Sequence, residues 1–262
     1  MHPRMILLTG ALLVAPAAFG QSAFEPIASA VRSQALSLPA ETAVVSLTPA
    51  DKANPRQAYT IRRSFAADGT FTVAWKNASI ESFQTFRADG TLVSVKQSDS
   101  GRGVALAAQT AGDRSWVKTT VTQDGKTKSE KKTDLKAGIV LRDELQHLIL
   151  QAWQYGVRDG LKFQSLSPDG GMVGDFQIVF SATADPTSLS NKYTFPDEFK
   201  AALRGHNNYV VADMSLQGVG AFFYPHHFYL VYLSTPGGLE WRGYFGEDPK
   251  APVFQYKVDS SR

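Results

Sequence analysis

Tyr224-Pro225-His226-His227-Phe228-Tyr229-Leu230-Val231-Tyr232, reversed by Thr235-Pro236-Gly237-Gly238 and answered by Leu239-Glu240-Trp241-Arg242-Gly243-Tyr244-Phe245, sets two β-branched and aromatic runs around a glycine turn. Glycines supply the positive φ angles that a tight reversal needs, so the stretch predicts a β-hairpin. Side chains alternate along a strand, which puts Phe222, Tyr224, His226, Phe228, Leu230 and Tyr232 on one face and Phe223, His227, Tyr229 and Val231 on the other. Both faces are apolar. A strand covered by other elements on one side and lining a cavity or groove on the other has this pattern.

Outward from that hairpin, the upstream chain repeats one turn chemistry. Tyr59 to Phe65 passes through Asp68-Gly69 into Thr70 to Trp75, Glu81 to Phe86 passes through Asp89-Gly90 into Thr91 to Val95, and Trp116 to Thr122 passes through Asp124-Gly125 into Lys126 to Lys132. Asp-Gly between alternating segments is a strong hairpin signal, and it predicts a meander of six or more antiparallel strands. The third hairpin is the most polar, which places it in solvent at a sheet edge. Further strands are expected at Thr42 to Leu47, Leu161 to Leu166, Gly174 to Ala182, Tyr209 to Leu216 and Val253 to Tyr256.

Helical spacing occurs in three places. Phe24, Ile27, Ala28, Val31 and Leu36 predict a short amphipathic helix ended by Pro39. Leu141, Leu145, Leu148, Ile149, Ala152 and Trp153 form one stripe of a long helix with Gly156 as its stop. Thr194-Phe195-Pro196-Asp197 has the form of a helix start with Thr194 as cap, running to Leu203. The expected fold is therefore mainly β (α+β): a strongly curved antiparallel meander or open barrel with one long and two short helices packed on it.

The N-terminus carries Arg4, an apolar run from Ile6 to Ala15, and small residues Ala18 and Gly20 before Gln21. That layout predicts a cleavable signal peptide over residues 1–20, export to the periplasm, and one β-rich domain over residues 21–262. The run is shorter than the roughly 20 residues of a membrane-spanning helix, and no later stretch is long and apolar enough, so a protein that does not span the membrane is expected. The chain contains no cysteine, which excludes disulfides, thiolate catalysis, cysteine-ligated zinc and a lipid-bearing N-terminal cysteine.

With 27 basic and 24 acidic residues, whole-molecule attraction to nucleic acid is not expected. Locally, Arg114, Lys118, Lys126, Lys128, Lys131, Lys132 and Lys136 stand against Asp124, Glu130 and Asp134. This patch fits either docking on an envelope protein or anionic surface, or a solvated hairpin whose lysines protect an edge.

Catalytic signals are sparse. There is no Gly-x-Ser-x-Gly elbow, no phosphate-binding glycine loop, no HExxH and no Asp-x-Asp calcium loop. His226 and His227 are adjacent, so on a regular strand they cannot share one ion; no metal site, cofactor or catalytic residue is assigned. His226 or His227 facing Glu240, Glu247 or Asp248 is the best acid–base arrangement, and it would make the protein a hydrolase. The same residues also fit a satisfied histidine and turn-capping carboxylates.

The remaining signal is aromatic. Between Phe222 and Tyr256 the rings outnumber what one sheet face buries, and rings with polar tips suit a groove whose mouth meets water. Trp153, Phe228, Tyr232 and Trp241 are the expected ligand-contacting wall residues, with Tyr224 and His226 beside them. The leading expectation is a soluble periplasmic binding or carrier protein for an apolar, lipid- or acyl-like ligand. The alternatives are an envelope-assembly module using the basic hairpin and a hydrolase using His226 or His227.

The order of elements (signal peptide, the helix Phe24 to Leu36, the Asp-Gly hairpins at Asp68, Asp89 and Asp124, and the helix Leu141 to Trp153) resembles the LolA/LolB-like periplasmic lipoprotein carriers and related envelope proteins. The resemblance implies an unclosed barrel around a cavity for acyl chains, with helices as its lid. It covers organisation and carries over no individual functional residue.

Overall fold

The computed structural model describes residues 41–258, apart from 89, 137–139, 142–148, 150–152, 154–156, 158–159, 168–170, 219–220 and 223. Fifteen strands form one sheet: β1 (Glu41–Leu47), β2 (Arg56–Phe65), β3 (Phe71–Lys76), β4 (Ile80–Phe86), β5 (Leu92–Asp99), β6 (Val104–Thr110), β7 (Trp116–Gln123), β8 (Lys126–Asp134), β9 (Val140–Leu141), β10 (Leu161–Leu166), β11 (Val173–Thr183), β12 (Tyr209–Leu216), β13 (His227–Thr235), β14 (Gly238–Gly246) and β15 (Val253–Lys257). Their order is β8-β7-β6-β5-β4-β3-β2-β1-β15-β14-β13-β12-β11-β10-β9. Every pair is antiparallel except β9 with β10. Two meanders thus become one sheet because the first strand pairs with the last, Val45 opposite Tyr256 and Leu47 opposite Phe254.

The expected hairpins are present. Asp124 (φ 50°) and Gly125 (φ 75°) both adopt positive φ in the β7–β8 turn, the requirement of a two-residue turn that follows strand twist. β8 lies at one end of the sheet and is exposed along nearly its whole length, where its polar sequence pointed.

The sheet is strongly curled but open, since β8 and β9 end the order and do not pair with each other. Its curl brings distant strands together. A Cβ on Gly171, in the β10–β11 connection, would lie 3.2 Å from Leu106 Cδ1 on β6 and 3.4 Å from Thr119 Cβ on β7. Lys136 Nζ, just beyond β8, pairs with Asp175 on β11 at 2.7 Å. The concave face carries two contiguous apolar clusters, one around Val44, Ile61, Val73, Phe86 and Val95, the other around Ile178, Met214, Phe228, Leu230 and Tyr232. Phe65 and Trp241 touch both.

The outer face of the second half is covered separately. Tyr193, Phe195, Phe199 and Leu203 pack on Val45, Val211, Val231, Phe245 and Phe254. Phe199 is fully buried and sits on a six-residue helix, α1 (Asp197–Ala202). Thr194 is not its cap: Pro196 holds that position, with no side-chain capping bond.

The expected set of one long and two short helices is not borne out. Among the described residues the only helical elements with defined ends are α1 and a 3-10 turn at Pro186–Leu189. The segment Phe24 to Leu36 and most of Leu141 to Trp153 lie outside the described residues; Ile149 and Trp153 are helical. Among the described residues no helix is long and apolar enough to cross a membrane.

Candidate functional site

The β13 strand has the two-sided character expected of it. Phe228, Leu230 and Tyr232 enter the concave cluster, while Val231 and Leu233 enter the covered outer cluster. The strand begins at His227, so Phe222, Tyr224 and His226 precede the regular alternation, and Phe222 is 83% exposed.

Along each concave-facing row, side chains change from apolar to polar. On β2, Ile61 gives way to Tyr59 and Gln57; on β4, Phe86 gives way to Gln84 and Ser82; on β5, Val95 gives way to Gln97 and Asp99. The apolar ends fill the curl and the polar ends leave it open, forming a cleft of about 680 Å³. One wall carries Tyr59, Trp75, Ser82, Gln84, Gln97 and Asp99, and the other carries Met214, Leu230, Trp241, Tyr244 and Gln255. Strands are ~4.8 Å apart, so in a flat sheet β5 and β12 would stand roughly 40 Å from each other. Only the curl makes them opposite walls.

The polar groups are held in order. Tyr59 stacks edge-on against Trp75, with centroids 6.0 Å apart, and its hydroxyl donates to Gln57 Oε1 at 2.8 Å. Arg102 Nε donates to Asp99 Oδ2 at 2.6 Å. Tyr224 OH donates to Glu247 Oε2 at 2.8 Å and Tyr244 OH donates to Glu247 Oε1 at 3.1 Å, so one carboxylate is oriented by two phenols. Glu247 itself has φ 71°, a left-handed conformation that costs a non-glycine residue about 1–2 kcal/mol. The backbone at Gly246 comes close to β13: a Cβ there would meet His227 O at 2.7 Å and Phe228 Cα at 2.9 Å.

Gln84 is 1% exposed and lines the cleft. Its Nε2 donates to Ser82 Oγ at 3.1 Å, but its Oε1 has no hydrogen-bond partner. A buried unsatisfied carbonyl costs about 1–3 kcal/mol.

The expected wall residues divide. Tyr224 and Trp241 line the cleft. His226 lies edge-on to Tyr224, centroids 4.5 Å apart. Phe228 and Tyr232 were expected on the wall but are 2% and 0% exposed in the core, because the apolar end of the curl is packed solid. Trp153 is half-buried and packs edge-on against Phe180 at 5.4 Å; it is not among the described residues that line the cleft. Sequence reasoning missed Tyr59, Trp75 and Gln84, whose hairpins it had treated as scaffold; the polar end of each alternating strand was the available signal.

The acid–base candidates also separate. His227 Nδ1 lies 2.7 Å from Asp213 Oδ1, on the face away from the cleft. Ser215 stands across from His227 in register, and its Oγ accepts from Gln217 Nε2 at 3.1 Å. Glu240 binds Arg242 Nη1 and Lys257 Nζ, each at 3.2 Å, a structural ion triad. Asp248 Oδ1 caps the turn at Lys250 N, 2.9 Å.

On the basic hairpin, Lys118 pairs with Glu130 at 2.8 Å, and Lys132 Nζ sits 4.5 Å above the Trp116 ring. Comparison with protein-family models, curated proteins and solved structures finds no match to this chain.

Proposed function

We propose that this protein is a periplasmic binding or carrier protein whose concave cleft holds a small molecule with an apolar portion. The observation that carries this reading is the cleft of about 680 Å³ between the two halves of the sheet, with the rings of Tyr59, Trp75, Tyr224, Trp241 and Tyr244 on its walls. Ligand sites of a few hundred Å³ are concave, rich in aromatic surface and supplied with a few oriented polar groups. Apolar surface removed from water would contribute about 25 cal/mol per Å², and Glu247 with its tyrosines would orient the polar end. Export follows from the layout of residues 6–20, and the LolA/LolB likeness enters only as an apolar guest held by a curled sheet.

Native mass spectrometry of the purified protein, with lipid extraction and titration of amphiphilic probes against tryptophan fluorescence, tests the reading. A bound or bindable guest is expected, with affinity reduced about tenfold or more in Trp241→Ala, the loss of one large aromatic contact. An empty protein that binds no amphiphile retires it.

A second reading uses the exposed β8 edge and its lysines to dock an envelope partner or anionic surface. It expects a salt-sensitive partner lost on reversing Lys128, Lys131 and Lys132. A hydrolase centred on His227 would instead require turnover on ester or glycan substrates that His227→Ala abolishes.

A further inference from the structure

Rings and amides are set side by side along the cleft by strand register. Gln57, Ser46, Gln255 and Tyr244 stand opposite one another on β2, β1, β15 and β14, and Trp75, Ser82 and Gln97 do so on β3, β4 and β5. Residues in register share a face of the sheet, and all of these line the cleft. Gln57, Gln97 and Gln255 are half-buried, so each keeps surface that a guest can reach. With strands ~4.8 Å apart, Gln57 and Gln255 lie roughly 10 Å from each other across β1.

A relay of hydrogen bonds fixes which end of Gln57 is on offer. The backbone N–H groups of Ser79 and Ile80 donate to Asn77 Oδ1 at 2.9 and 2.5 Å, which identifies that atom as the oxygen. Asn77 Nδ2 therefore donates to Gln57 Oε1 at 2.7 Å, and Tyr59 OH donates to the same oxygen at 2.8 Å. Gln57 Oε1 is thus engaged twice, and what the side chain offers a guest is a pair of N–H donors. Gln97 and Gln255 each carry both donors and an acceptor.

An acyl chain laid over these amides would strip away their water and return no hydrogen bond. Hydroxyl groups donate and accept, so a guest rich in them answers every amide in the two rows. A sugar ring also presents a C–H face, and aromatic rings with polar tips suit a guest that is apolar on its face and wet at its rim. Amides and rings bear no net charge, so the match is to an uncharged guest.

We propose, resting on the reading of the cleft as a ligand site, that its ligand is a short uncharged saccharide. Its ring faces lie against Trp75, Tyr244 and Trp241, and its hydroxyls bond to Gln57, Gln97 and Gln255. The apolar portion of the guest is then the C–H face of sugar rings, and fatty acids are the disfavoured class.

Four probes decide the matter by tryptophan fluorescence and calorimetry: maltotriose, cellotriose, octyl glucoside and octanoate, the last two below their micelle concentrations. At least one trisaccharide and octyl glucoside are expected to bind, with octanoate at least about tenfold weaker than either. Saccharide affinity should stay within about twofold as salt is raised, since no charge on the guest is screened. Gln97→Leu and Gln255→Leu, checked for an unchanged melting temperature, should each weaken the trisaccharide about tenfold while leaving octanoate equal or tighter. An equal loss for octanoate would mark the amides as structural and overturn the assignment. If octanoate matches octyl glucoside, or if neither trisaccharide binds while an octyl probe does, the saccharide assignment is overturned and the cleft stands as a binding site. If none of the four binds, the proposed function falls with it.

Discussion

Tyr193 illustrates how one side chain ties the outer cover to the mouth of the cleft. Its ring packs edge-on against Phe245 at 5.7 Å, and its hydroxyl donates to the backbone carbonyl of Glu247 at 3.1 Å. Burial, helped by neighbouring Tyr229 and Glu247, pushes its phenol up to about 12. Because the folded value exceeds the unfolded one near 10, its contribution is fully present below pH 10 and is lost as pH rises through 12. Tyr193→Phe should therefore cost about 1 kcal/mol at neutral pH through the missing hydrogen bond, and the gap from wild type should close between pH 10 and 12. Urea unfolding of both proteins across that range measures it; a gap independent of pH would contradict the assignment.

At the scale of an element, α1 is too short to be stable alone, since isolated helices below about 12 residues are marginal in water. Tertiary contacts hold it. Phe199 is fully buried beside Phe245 and Phe254, with centroids 6.1 and 5.4 Å away. At its start, Glu198 accepts from Tyr256 OH of β15 and pairs with Arg56 of β2 at 3.0 Å. The Tyr256 hydrogen bond, then Arg56, hold the Glu198 carboxyl below the usual carboxylate range. A depressed value stabilises the fold above the ordinary carboxylate pKa of about 4.3 and ceases to do so as pH falls through the folded value. Glu198→Gln is expected to lower stability by about 0.2–1 kcal/mol at pH 7, the range for an exposed pair. In an acid titration of melting temperature the two proteins should converge below pH 4; a constant offset would mean that the carboxylate's charge is irrelevant.

For the whole molecule, the join between β1 and β15 is decisive. It lies at the centre of the order, where Val44 and Val45 are buried on opposite faces, and it links segments from the two ends of the described chain. Among the described residues β8 lies at the far edge, paired with β7 alone, and its side chains are mostly exposed. Local opening free energy follows burial and pairing, so amide exchange should be slowest in β1, β15 and β13 and fastest in β8. Comparable protection in β8 and β1 would mean that the edge is covered by something in solution.

Much of the local structure was legible in the chain. The Asp-Gly turns announced three hairpins because Gly69, Gly90 and Gly125 take the positive φ that the reversals need, joined by Asp124 in the third, while Asp68 caps the first turn at Thr70 N. Tyr209 to Leu216 and Leu161 to Leu166 were readable because β-branched and aromatic runs ended at clear breaks. The helical set was not: residues 24–36 and most of 141–153 lie outside the described residues, and Thr194 lost its capping role to Pro196. Sequence periodicity reports which residues share a face of an element, whereas the number and extent of helices depend on what the sheet leaves uncovered.

The sequence by itself determined a cysteine-free, strand-dominated chain, the positions of most strands, the two-sided burial of β13 and the polar edge at β8, since these follow from spacing and turn chemistry within a few residues. Tertiary structure alone decided that Tyr59, Trp75 and Gln84 face Trp241 and Tyr244 across a cleft, that Phe228 and Tyr232 are core, and that His227 meets Asp213 on the other side. The reason is geometric: curl is summed over many strand pairs, each rotated a little from the last, and no local stretch of chain encodes the total.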